Sequence, residues 1–139
     1  MTDTDHALLD APVPIRFKLA ALWTSVMLLY VYVDIFSLYK PGTVTDILDG
    51  RVWELDITQT WAFAALVLMA IPSLMIVLSM LLPARAARWS NVVVGALYIP
   101  VSAGNVIGET WAYFYLGAAL EVALLVLVVH AAWTWPRER

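Results

Sequence analysis

Four apolar runs dominate this chain, and each is long enough to cross a lipid bilayer. Crossing hydrocarbon takes about 20 consecutive, mainly apolar residues at about 1.5 Å rise per residue. The runs fall at roughly 15–39, 58–82, 89–107 and 113–135. Only a few residues separate the second run from the third and the third from the fourth, which forces antiparallel neighbours. The expected fold is therefore all-α: a four-helix transmembrane bundle of up-down topology, forming one domain over 1–139. With 63% hydrophobic and 14% charged residues, the chain lies in the membrane class rather than the soluble one. The first run is too long for a secretory signal, and no small-residue cleavage site follows it promptly, so it is expected to stay attached.

The basic residues set the orientation. Arg16, Lys18, Arg85, Arg88, Arg137 and Arg139 fall on one side of the four runs, and only Lys40 and Arg51 on the other. The richer side is expected to be cytoplasmic, with both termini inside and the 40–57 loop outside, and the imbalance argues against insertion in both orientations. Aromatic residues mark the same boundaries, with Trp89, Trp133 and Trp135 at the inner one and Tyr39, Trp61, Trp111 and Tyr113 at the outer one. The absence of cysteine excludes disulfides, thiolate metal sites, iron–sulfur ligation and thiol redox chemistry. A net charge of −3 gives no footprint for nucleic acid.

The only long connection is KPGTVTDILDGRVWELDITQ. Pro41 and Gly42 stop the first helix, Asp49 and Gly50 suggest a turn, and 52–57 alternates as an extended segment would. The loop is expected to fold over the outer end of the bundle. Its acids, Asp46, Asp49, Glu54 and Asp56, read as a solvated acidic surface rather than a metal site, because their spacing matches no calcium loop. No pair of histidines stands at helical spacing, and His130 reads as an interfacial histidine, so no metal and no cofactor are expected.

The helix faces carry the chemistry. Trp23, Met27, Tyr30, Asp34 and Ser37 recur at steps of four, three, four and three, as do Asn91, Gly95, Tyr98, Ser102 and Asn105. Two such stripes predict a polar seam inside the bundle. Glu121 shares its face with Gly117 and Ala118, small residues that admit a neighbouring backbone. The second helix reads as mostly apolar, and the inner half as nearly free of polar groups. Asp34 is expected about five residues, or roughly 8 Å, below the outer end of its helix, with Ser102 and Asn105 at similar depth and Glu121 somewhat deeper. A carboxylate in hydrocarbon costs ~2.5 kcal/mol or more by insertion scales, so both acids are expected to point into one interior. The candidate ligand- or proton-binding residues are Asp34, Glu121, Asn105, Ser102, Tyr30, Ser37 and Tyr98. Hydrogen-bonded acids that merely fix helix packing are the competing reading. Pro72 and Pro100, near the middle of two helices, each leave a carbonyl free about one turn earlier.

The run LWTSVMLLYVYVDIFSLYKPG, the IPSLMIVLS segment, the RAARWSNVVVGA opening of the third helix and the acid in the fourth resemble an uncharacterised family of small four-helix bacterial membrane proteins. The most specific match is Tyr-x-Asp-Ile-x-Ser-Leu-x-x-Pro-Gly, at Tyr32, Asp34, Ile35, Ser37, Leu38, Pro41 and Gly42. In that family's pattern a glutamate often precedes the Ile-Pro of the second helix, where this chain has Ala70. The resemblance implies a fold, not an activity.

Three function classes follow. The first is a small multi-pass protein of the bacterial inner membrane whose outer-half pocket binds a proton, a cation or a small amphipathic ligand, with a transport-like role. The second is an accessory or structural subunit, with a filled interior and an apolar partner surface. An intramembrane enzyme is the third and weakest, because two carboxylates define no reaction. The expected surroundings are the lipid bilayer, a small-molecule or cation ligand, no nucleic acid, and a homodimer on grounds of size.

Overall fold

The computed structural model describes residues 11–136. Arg137 and Arg139, two of the six basic residues assigned to the inner side, lie outside that range. The elements are α1 (Ile15–Ser37), α2 (Thr43–Leu48), β1 (Arg51–Val52), β2 (Leu55–Asp56), α3 (Gln59–Leu81), α4 (Ala84–Gly104) and α5 (Ala112–Trp133). The four long helices pack side by side, α1 against α3 and α5, and α4 against α5 and α3. Leu19, Trp23 and Val26 of α1, Met75 of α3, Tyr98 of α4, and Leu125 and Val128 of α5 form the core between them.

Three of these helices, α1, α3 and α5, are long and apolar enough to cross a membrane. The fourth, α4, falls short because Arg85 and Arg88 occupy its first turns and Asn91, Tyr98 and Ser102 its inner face. It also begins five residues before the expected Trp89. Its Arg-Ala-Ala-Arg opening is too polar for hydrocarbon but is no obstacle to a helix, whose hydrogen bonds are internal.

The outer connection differs from a plain extended loop. Gly42, at φ +91°, turns the chain into α2, a short helix where the sequence predicts only loop. Gly50, at φ +81°, then leads into a short antiparallel hairpin pairing Arg51 with Asp56 and Val52 with Leu55. Trp53, at φ +54°, takes a left-handed conformation that favours glycine or asparagine. The turn expected at Asp49–Gly50 is present, but the stretch 52–57 expected to be extended is broken by a second turn at Trp53 and Glu54, which folds it back as the hairpin. Thr58 caps α3 by accepting from the Trp61 N–H at 3.1 Å.

At the end of the helices that carries Arg16, Arg85 and Arg88, termed inner from here on, arginines from neighbouring helices close two helix C-termini. Arg16 Nη1 lies 2.7–3.1 Å from the carbonyl oxygens of Ser79, Met80 and Leu82, and the guanidinium sits over Trp135. Arg88 donates to the Trp133 carbonyl at 3.2 Å while lying over Trp89 and Trp133. Both cations meet the negative ends of helix dipoles and carbonyls that no helical N–H reaches.

The outer end is built differently. The buried residues of α3, Pro72, Met75 and Ser79, all lie at or below Pro72, and none of 59–71 is buried. The other helices each bury at least one residue in their outer halves: Tyr30 in α1, Tyr98 and Ser102 in α4, and Phe114, Gly117, Ala118 and Glu121 in α5, whereas in 59–71 of α3 Trp61, Ala65, Met69 and Ala70 are half-buried. The interior is thus enclosed by four helices below and by three above, with the upper half of α3 leaning on the outside.

Candidate functional site

The stripe along α4 faces inward as its spacing requires: Asn91, Gly95, Tyr98 and Ser102 are buried and Asn105 is half-buried. On α1 the stripe holds for Trp23 and Tyr30, which are buried, and for Met27 and Ser37, which are half-buried. Tyr30 Oη and Ser102 Oγ share a hydrogen bond of 2.7 Å across the interior. Beside them stands Glu121, 1% exposed and close enough to Ser102 for the hydroxyl to act on its carboxyl. Its Oε2 has no hydrogen-bond partner among the described residues. Tyr30, Ser102 and Glu121 are therefore one buried cluster.

Asp34 does not join them in the interior. It is exposed, although close enough to Glu121 for their charges to act on one another. Two features of α1 place it there. The helix ends at Ser37, one turn beyond Asp34, so the acid is shallower than expected. Asp34 also lies about 100° round the helix from Val33, which packs against Gly117 of α5, so it sits on the flank where the upper part of α3 gives no cover. Ser37 turns back to donate to the Asp34 carbonyl at 2.6 Å rather than to the carboxylate.

Tyr98 has a specific partner. Pro72 lacks an N–H, which leaves the carbonyl of Leu68, four residues earlier, without its helical donor. The Tyr98 hydroxyl donates to that carbonyl. Pro100 is exposed on the opposite face of its own helix.

Asn105 belongs to a second place. It lines an outer hollow of about 470 Å³ with Glu109 of the α4–α5 turn and with Asp46, Trp53 and Glu54 of the outer loop. The loop thus folds over the α4–α5 end, as its position suggested. The remaining loop acids, Asp49 and Asp56, are not among the lining residues. Among the described residues no group of three or more His, Asp or Glu side chains converges as a metal site.

Two polar features went unread in the sequence. Lys40 Nζ reaches Glu109 Oε2 at 2.6 Å and lies over the Phe114 ring, tying the end of α1 to the start of α5. Nothing local signals this, because the partners are 69 residues apart. The second corrects the expectation of a bare inner half: Trp23 Nε1 donates to Asn91 Oδ1 at 2.7 Å, and Asn91 Nδ2 donates to the Ala87 carbonyl at 2.7 Å. Buried Ser79 of α3 lies 3.1 Å from the same Oδ1 while donating to the Met75 carbonyl. The signal was present, since Trp23 and Asn91 stand on the two stripes equally far from the inner ends. His130 is exposed near the inner end of α5.

The arrangement offers a buried carboxyl with one open acceptor, flanked by two hydroxyls, below an acidic hollow. No curated protein and no solved structure matches the chain. A family pattern does match it, over residues 14–139, and on that match the chain belongs to the family of unknown function DUF6326.

Proposed function

We propose that the four long helices form a transmembrane bundle in the inner membrane of a bacterium, with both termini cytoplasmic, whose outer half binds a proton, a cation or a small amphipathic ligand at Glu121. The length of α4, 21 residues or roughly 31 Å, suits a fourth span. Its place between α3 and α5, with its polar residues turned inward, supports the same reading.

The observation that carries the binding reading is the state of Glu121: 1% exposed, with Oε2 unpartnered. Buried polar groups are hydrogen-bonded as a rule, and a membrane acid with one unpartnered oxygen has an open position for a proton or for the N–H of a cation. The test is infrared difference spectroscopy of the full chain in lipid between acidic and alkaline pH, together with binding of dodecylammonium, an amphipathic cation whose head carries N–H donors. The expected result is a carboxyl signal, or cation binding, that Glu121→Gln abolishes while folding is retained. Both readouts unchanged in Glu121→Gln would sink the proposal.

The filled inner half, where Leu19, Trp23, Val26, Leu125 and Val128 are fully buried, favours the accessory-subunit reading should that test fail. A homodimer in the membrane fits either reading, because so small a chain buries a modest internal surface.

A further inference from the structure

We infer that the ligand of the Glu121 site is a membrane-dissolved amphipathic molecule that enters sideways from the outer leaflet, past an upper half of α3 that is hinged at Pro72 and latched by Tyr98. The inference rests on the binding reading above and adds the route and the chemical class.

The route from outer water is closed. Above Glu121 lies Phe114, 6% exposed, with Lys40 over its ring, and the Lys40–Glu109 pair bridges the helix ends at 2.6 Å. The outer hollow stops short of the cluster, since neither Glu121, Ser102 nor Tyr30 lines it.

Two of the helix seams are closed as well. At Gly117 a Cβ would stand 2.6 Å from Val33 Cγ2, so α1 and α5 touch with no room between them. At Gly95 a Cβ would stand 2.9 Å from Val129 Cγ2 and 3.3 Å from Val128 Cγ1, which closes the α4–α5 seam about two turns below Glu121, and at Glu121 itself Ser102 of α4 stands against it. Glycines that admit a neighbour this closely leave seams that cannot part without losing dense packing.

What remains are the seams on either side of α3. Over 59–71 that helix buries no residue, and Phe63 and Leu66 are 69% and 68% exposed. At Pro72 its backbone hydrogen bonding is interrupted, which is where helices bend. The freed Leu68 carbonyl is held by the Tyr98 hydroxyl from α4. One hydrogen bond at the hinge therefore fastens an otherwise loosely packed arm beside the Tyr30–Ser102–Glu121 cluster.

A solute taking this path crosses acyl chains, so its body is apolar. Its head must offer a donor to Oε2 of Glu121. Amphipathic amines, free or carried on a lipid, have both properties.

The full chain in liposomes is treated with dicyclohexylcarbodiimide, which partitions into lipid, or with a water-soluble carbodiimide from outside, and adducts on Glu121 are counted by mass spectrometry. The lipid-soluble reagent is expected to label Glu121 and the water-soluble one to miss it. Tyr98→Phe should raise the labelling rate roughly two- to tenfold, the shift that loss of one net hydrogen bond gives to an open–closed equilibrium. Pro72→Ala, which returns a donor to Leu68, should lower the rate several-fold. Faster labelling from water, no labelling from lipid, or rates unchanged in both variants would overturn the lateral route. Route and ligand fail separately. If labelling follows the expected pattern but Glu121→Gln leaves proton and dodecylammonium binding intact, the binding reading and the ligand class fall together.

Discussion

At the scale of single residues, this protein treats its buried polar groups unequally. Asn91 is satisfied on both sides of its amide, through Trp23 and Ala87. Glu121 keeps an open oxygen at nearly complete burial. The contrast separates a polar group that fixes packing from one available for chemistry, and it makes the Asn91 node a stability element. Asn91→Leu leaves the fully buried Trp23 N–H without an acceptor, and the expected loss is ~1–3 kcal/mol in reversible unfolding from mixed micelles. Trp23→Phe removes that donor, so the double variant should be more stable than the two separate losses imply. Strict additivity in the double-mutant cycle would show that the hydrogen bond contributes nothing beyond the shape of its partners.

At the scale of helices, close approach is arranged at a few glycines. Gly117→Ala places a methyl 2.6 Å from Val33 Cγ2, forcing α1 and α5 apart beside the Glu121 carboxyl. Overpacking of this kind costs ~1–3 kcal/mol, and Val33→Ala in the same chain should restore much of it by removing the methyl that is struck. Gly104→Ala, with nothing within 4 Å of its added Cβ, is the control and should be near neutral. Equal losses for the two glycine variants would mean that backbone freedom rather than seam packing is at stake. Much of this level was legible in the sequence. The four, three, four, three stripes identified the inward faces of α1 and α4, and Gly117 and Ala118 marked the face by which α5 meets its neighbour. Helix spacing says which side of a helix differs from the others, but not what covers it. An apolar residue facing lipid reads the same as one facing protein, so nothing in Phe63, Leu66 or Val67 revealed that the upper half of α3 lies outside the core. For the same reason Asp34, on a polar stripe, was expected inside. The stripe was real, but the helix that would have covered its edge is not there. Lys40–Glu109 was invisible because it depends on where two helix ends meet. α4 starts before Trp89 because the polar residues that end an apolar run do not end a helix.

At the scale of the whole molecule the two ends are built for different surroundings. The inner end gathers Arg16, Lys18, Arg85 and Arg88 with Trp89, Trp133 and Trp135, and two of those arginines close helix C-termini. The outer end carries the acidic hollow and a single bridging lysine. Charge asymmetry of this kind orients a chain in the membrane, because basic residues resist translocation while acids contribute little. With all four long helices spanning, as proposed above, their even number returns the chain to the side on which it began. The prediction is an orientation with α2 and the hairpin outside and the α3–α4 turn in the cytoplasm. The chain has no cysteine, so single cysteines report without background. Thr45→Cys on α2 and Ala86→Cys in the first turn of α4 are both exposed positions. In intact cells an impermeant maleimide should label Thr45→Cys and leave Ala86→Cys unlabelled until the membrane is opened. Labelling of both before permeabilisation would put the two turns on one side, and α3 could then not be a spanning helix. Labelling of Ala86→Cys alone would invert the molecule, turning the Glu121 cluster and the α3 arm toward the cytoplasmic leaflet.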